Sequence, residues 1–68
     1  MATAIINGRR VQIPETASDT EIRQAGGLKA GRTLIKRERS GNFLIPRGSR
    51  VNVNDGDVFV DAPSRIKG

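Results

Sequence analysis

The sequence contains no cysteine, no histidine, no tryptophan and no tyrosine. Each absence removes a class of chemistry. Without cysteine there is no disulfide staple and no thiol nucleophile. Without cysteine or histidine there is no zinc site built from those donors, and no imidazole base. Ser18, Ser40, Ser49 and Ser64 therefore have no histidine to activate them. The expectation is a chain without catalytic residues, not an enzyme. Two phenylalanines are the whole aromatic complement, so the stacking platforms that hold single-stranded nucleic acid are missing. No apolar run approaches the ~20 residues that cross a bilayer. Met1-Ala2-Thr3 carries no basic stretch, and Asn7-Gly8 interrupts any apolar leader. The expectation is a cytoplasmic chain with no membrane partner. At 68 residues it forms one domain at most, close to the size below which unassisted folding fails.

What the sequence has in quantity is arginine. Nine of the twelve basic residues are Arg, and with seven acids the net charge is +5. Such a balance suits nucleic acid or acidic protein partners. It suits a solvated surface equally, because the two signs are interspersed.

Residues 3–14 read as a hairpin around Asn7-Gly8, with the two-residue loop at Asn7-Gly8 or Gly8-Arg9. Either loop places Ala4, Ile6, Val11 and Ile13 on one side and Ile5, Arg10 and Gln12 on the other. Residues 18–25 read as a short helix. Ser18 is its N-cap, Glu21 completes a capping box, and Gly26-Gly27 stops it. Ile22 and Ala25 share a face, with Leu28 just beyond. Two helical turns need a sheet to pack on. Strands follow at residues 32–39 and 43–45, the latter stopped by Pro46. Val51 and Val53 alternate with Asn, and Val58-Phe59-Val60 is the last and most apolar strand. This order predicts an α+β fold with a mixed four- to five-stranded sheet and one short helix across one face. The predicted core is Ala4, Ile6, Val11, Ile13, Ile22, Leu28, Leu34, Leu44, Val58 and Val60.

Few residues offer chemistry. Asp55 and Asp57 flank Gly56, but a calcium loop needs more ligands, including a distal Glu. They read as a turn, and no metal is expected. Gly26-Gly27 lacks the Lys-Ser/Thr ending of a phosphate loop. Lys36-Arg37-Glu38-Arg39 and Arg47-Gly48-Ser49-Arg50 fit a phosphate-binding face, or an edge strand guarded by charge. Residues 1–63 read as the domain and 64–68 as a basic tail. That tail holds one apolar residue, Ile66, and closes on Gly68, which has no side chain to obstruct a narrow enzyme channel.

Three segments carry a family resemblance. They are the Ile5-Ile6-Asn7-Gly8-Arg9 hairpin, residues 19–28 (Asp-Thr-Glu-Ile-Arg-Gln-Ala-Gly-Gly-Leu), and residues 55–63 (Asp-Gly-Asp-Val-Phe-Val-Asp-Ala-Pro). Together they resemble the bacterial ubiquitin-like and multiubiquitin families over roughly residues 4–68. Arg65-Ile66-Lys67-Gly68 is similar to the basic-aliphatic-basic-Gly tail of ubiquitin-like modifiers. The resemblance implies a β-grasp fold and a protein modifier. An E1-like activating enzyme would use ATP to adenylate the Gly68 carboxylate, and an E2-like carrier would pass the tail to a protein target. This chain would bind no cofactor itself. Arg65, Ile66 and Lys67 would guide the tail into the activating enzyme, and Ile5, Ile35 and Phe59 would form the partner-binding patch. The sequence departs from ubiquitin in closing on one glycine instead of two, and in having only Lys29, Lys36 and Lys67 as lysines. A second set of residues is also suggestive. Residues 8–14 (Gly-Arg-Arg-Val-Gln-Ile-Pro), Ile22-Arg23, Gly27-Leu28, Gly31-Arg32 and residues 43–46 (Phe-Leu-Ile-Pro) resemble the swapped-hairpin DNA-binding domains of bacterial antitoxins and transition-state regulators. Those act as dimers on DNA. Seven residues, Glu15 to Glu21, stand here where that family keeps its Ile-Arg and Ile-Pro pairs close.

Overall fold

The Asn7-Gly8 turn sets the first ladder. Asn7 and Gly8 have φ of 50° and 83°, the left-handed pair that a two-residue hairpin turn demands. The computed structural model describes residues 1–63. In it the turn joins β1 (Ala2–Ile6) to β2 (Arg9–Ile13), antiparallel, with Ile6 opposite Arg9 and Ala4 opposite Val11. Ala2, Ala4, Ile6 and Ile13 are buried on the inner side, with Val11 half-buried beside them.

A short strand, β3 (Thr16–Ser18), leads directly into α1 (Asp19–Gly26). Ser18 caps the helix as expected. Its hydroxyl accepts from the Glu21 N–H at 3.1 Å, and the Glu21 carboxylate accepts from the Ser18 N–H at 2.8 Å. Gly27, at φ 71°, ends it, and the Leu28 N–H reaches back to the Arg23 carbonyl at 2.8 Å, closing the C-terminal turn. The helix face turned to the sheet is Asp19, Ile22 and Arg23, while Ala25 is exposed. Gly26 lies on that face because nothing larger fits. A Cβ there would stand 3.0 Å from Ile6 Cβ and closer still to Ile6 Cγ2. Gly26→Ala is therefore expected to lower stability. Overpacking costs about 1–3 kcal/mol, against the roughly 1 kcal/mol that alanine contributes in helix propensity. Thermal melting followed by circular dichroism checks this, and a midpoint at or above that of the parent would show that Ile6 moves aside freely.

The remaining strands are β4 (Thr33–Glu38), β5 (Gly41–Ile45), β6 (Arg50–Asn52) and β7 (Val58–Ala62). The molecule is thus α+β, with a mixed five-stranded sheet in the order β2-β1-β7-β4-β5 and a two-stranded sheet of β3 with β6. The last strand runs parallel to the first and antiparallel to β4. No helix among the described residues is long and apolar enough to cross a membrane.

The core differs from expectation in three places. Phe59 is fully buried, whereas Val58 and Val60 are half-buried on the outer side. Register explains the facing. Phe59 is the cross-strand partner of the buried Ile6, while Val58 pairs with Ile5 and Val60 with Ile35 on the opposite side. Leu44 is 69% exposed and Ile45 is buried instead. The β4–β5 loop is only Arg39-Ser40, since Glu38 already pairs with Gly41. That register puts Ile45 opposite Leu34 and turns Leu44 outward. Finally, Ala17 and Val53 complete the core beneath the β3–β6 pair, and Leu28 packs only partly against it.

Candidate functional site

Strand alternation gives the large sheet two unlike faces. The inner face holds α1 and the core. On the outer face Ile5 stands beside Val58, Val60 beside Ile35, and Ile35 beside Leu44. Four of these five aliphatics are half-buried and Leu44 is open to solvent. Arg10 is the cross-strand neighbour of Ile5, and Arg37 that of Val58. One row across the sheet therefore reads Arg10, Ile5, Val58, Arg37: an apolar middle between two guanidinium groups. An uncovered aliphatic patch with a charged rim is the usual form of a protein-binding surface.

Of the patch residues expected from the sequence, Ile5 and Ile35 share this face. Phe59 does not. It points into the core at 0% exposure, and Val58 and Val60 stand in its place. Leu44 was also missed. The signal for it lay in the length of the Arg39-Ser40 loop, which sets the parity of β5.

The end of β7 borders this patch. Asp61 accepts hydrogen bonds from the Asn7 side-chain amide at 2.8 Å and from Arg32 Nε at 2.6 Å, and its N–H donates to Asn7 Oδ1 at 3.3 Å. The Asn7 amide holds the Asp61 carboxyl below the usual aspartate value. Burial pushes the other way, and the Arg32 guanidinium adds to the lowering. This cluster fixes the point where the chain leaves the sheet, at Ala62-Pro63, against the β1–β2 turn. Arg65, Ile66, Lys67 and Gly68 lie outside the described residues.

The other charged candidates are occupied by structure. Asp55 accepts from the Thr3 N–H at 2.8 Å, and Asp57 accepts from the Asn54 N–H at 2.8 Å. Both are turn residues. Lys36 is on the inner side, 3.2 Å from Glu38 and 3.4 Å from Asp57. Burial works against its charge, but the two carboxylates outweigh it and hold its pKa above the usual lysine value. Lys36 therefore does not join Arg37 and Arg39 in a phosphate-binding face. Among the described residues no group of three or more carboxylates or other metal donors gathers.

Against protein-family models, curated proteins and solved structures, the chain finds no match.

Proposed function

We propose that this chain is a ubiquitin-like modifier of β-grasp fold, joined to protein targets through the carboxylate of Gly68. The observation that carries the reading is the placement of β7. It follows every other strand in the chain, yet lies between β1 and β4, contributes Val58 and Val60 to the outer aliphatic face, and brings the chain out beside the Asn7-Gly8 turn. A modifier needs such an arrangement: a rigid body, a docking face, and a tail leaving next to that face. Ile5, Ile35, Val58, Val60 and Leu44 serve as the docking face for the activating enzyme and the carrier. Arg65, Ile66 and Lys67 lead the tail to the catalytic centre of the partner. There the Gly68 carboxylate attacks the α-phosphate of ATP, and pyrophosphate leaves. A carrier thiol then displaces AMP, and a target nucleophile displaces the thiol.

The test is intact mass of the protein isolated under denaturing conditions from its native host. Species heavier than the free chain are expected, and Gly68→Trp should eliminate them without shifting the melting temperature. Ile35→Ala should slow loading onto the activating enzyme about tenfold, the loss expected when a central interface side chain is truncated. Free chain alone, even with the activating partner co-expressed, would reject the modifier reading and redirect attention to salt-dependent binding of DNA by the basic surface.

A further inference from the structure

The five-stranded sheet has two edges, and they are built differently. At one edge β2 carries Arg9 and Arg10, charges that discourage pairing with a stray strand, and α1 packs against it. At the other edge β5 reads Gly-Asn-Phe-Leu-Ile, with no charge at all. Two of the three large exposed apolar side chains among the described residues are on it, Phe43 at 48% and Leu44 at 69%. Among the described residues only β4 pairs with this strand. On the inner side Phe43 borders a groove whose far wall is Arg50 and Val51 of β6. An edge of this kind is a template for strand addition.

Charge chooses the occupant. Residues 36–50 hold five basic side chains and one acid, Glu38, and that acid is engaged by Lys36. Arg37, Arg39, Arg47 and Arg50 make no ion pair among the described residues. A second copy of the chain is a poor fit. Antiparallel pairing of two β5 strands centred on Phe43 brings the end of each strand flanked by Arg39 up to the end of the other flanked by Arg47. Like charges brought together across strands are destabilising.

We infer that the β5 edge binds an extended acidic-aliphatic peptide by strand addition. Main-chain hydrogen bonds to Gly41–Ile45 supply the register. An aliphatic side chain of the peptide enters the groove beside Phe43 and Val51. Its carboxylates face Arg39, Arg47 and Arg50. This site shares only Leu44 with the outer aliphatic face and rests on the β5 main chain, Phe43 and the flanking arginines, so it stands or falls independently of the modifier reading.

The probe is a synthetic peptide of alternating valine and glutamate, about seven residues long, which spans about 23 Å when extended. It is titrated into the whole protein and followed by heteronuclear NMR. Amide shifts and slowed hydrogen exchange are expected at Gly41–Ile45, with binding that weakens as salt rises. Arg47→Glu with Arg50→Glu, both exposed and outside the core, should weaken binding about tenfold. Replacing the glutamates of the peptide with lysine should weaken it at least as much. Methylating alternate peptide nitrogens should abolish it, because a strand cannot dock without those donors. The inference is overturned if the β5 amides stay unmoved at millimolar peptide. It is also overturned if the shifts confine themselves to Ile5, Ile35 and Val60, or if the protein self-associates through β5 instead.

Discussion

Phe59→Ala is expected to cost about 3–5 kcal/mol, the price of truncating a fully buried phenylalanine. A domain of this size has roughly 3–10 kcal/mol to lose, so the variant is expected to be partly or wholly unfolded at room temperature. Val58→Ala and Val60→Ala remove smaller side chains from half-buried positions, and each should cost about 1 kcal/mol. The comparison is informative because all three residues lie on one strand. With no tryptophan or tyrosine to report, urea unfolding is followed by far-ultraviolet circular dichroism. A larger loss for Val58→Ala than for Phe59→Ala would reverse the facing of β7, and with it the membership of the outer patch.

The second large effect concerns a charge pair that the core encloses. Asp19 and Arg23 are 4% and 5% exposed. Asp19 Oδ2 accepts from Arg23 Nε at 3.3 Å, and Oδ1 accepts from the Gly48 N–H at 2.8 Å. Arg23 also donates to the carbonyls of Lys29 and Arg32. These two side chains thus tie the start of α1 to the loop before β6 and to the segment entering β4. Asp19→Ala strands a buried guanidinium and orphans the Gly48 N–H, with an expected loss of about 3 kcal/mol. Burial alone would raise the Asp19 pKa. The Gly48 N–H and the Arg23 guanidinium outweigh it, and the net value lies below the usual one. A carboxyl with a depressed folded-state pKa contributes stability that is complete above its unfolded value, about 3.9, and is lost as pH falls through the folded value. The parent should therefore lose stability steeply below about pH 4. Asp19→Ala should flatten that slope, leaving the part due to Asp61. Parallel acid titrations of the two proteins would refute this account.

Much of the architecture is legible because certain residues have few alternatives. Asn7-Gly8 marks a tight turn whose two possible placements give the same facing, and Ser18 with Glu21 marks the helix start. The element order follows from these and from the glycine stop. What stays hidden has a physical cause in each case. Val58-Phe59-Val60 is apolar at every position, so alternation gives no direction, and only the register against β1, which pairs Phe59 with Ile6, decides the side that faces inward. Leu44 and Ile45 are adjacent aliphatics whose facing depends on one residue of loop length. Asp19 and Arg23 read as surface charges suited to a helix end. Their burial rests on Gly48, Lys29 and Arg32, which are far from them along the chain or beyond the helix. Thr16-Ala17-Ser18 is too short to show a period, and becomes a strand only when residues 50–52 arrive beside it. The outer patch was half legible for the same reason. Ile5 and Ile35 lie on strands whose alternation is clear, whereas the third member depended on the ambiguous strand.

The central position of β7 has a consequence for synthesis. Translation delivers β1 and β2 first, then α1, then β4 and β5, and the strand that joins the two hairpins comes last. The hydrogen bonds that close the sheet span up to 54 positions, as between Asn7 and Asp61. Isolated two-stranded hairpins are marginal in water, and contacts this distant in sequence form slowly. A nascent chain halted before Val58 therefore carries two half-sheets and a helix with the middle of the core missing. Resistance to proteolysis is therefore expected only once Val58–Ala62 is free to pair with both β1 and β4.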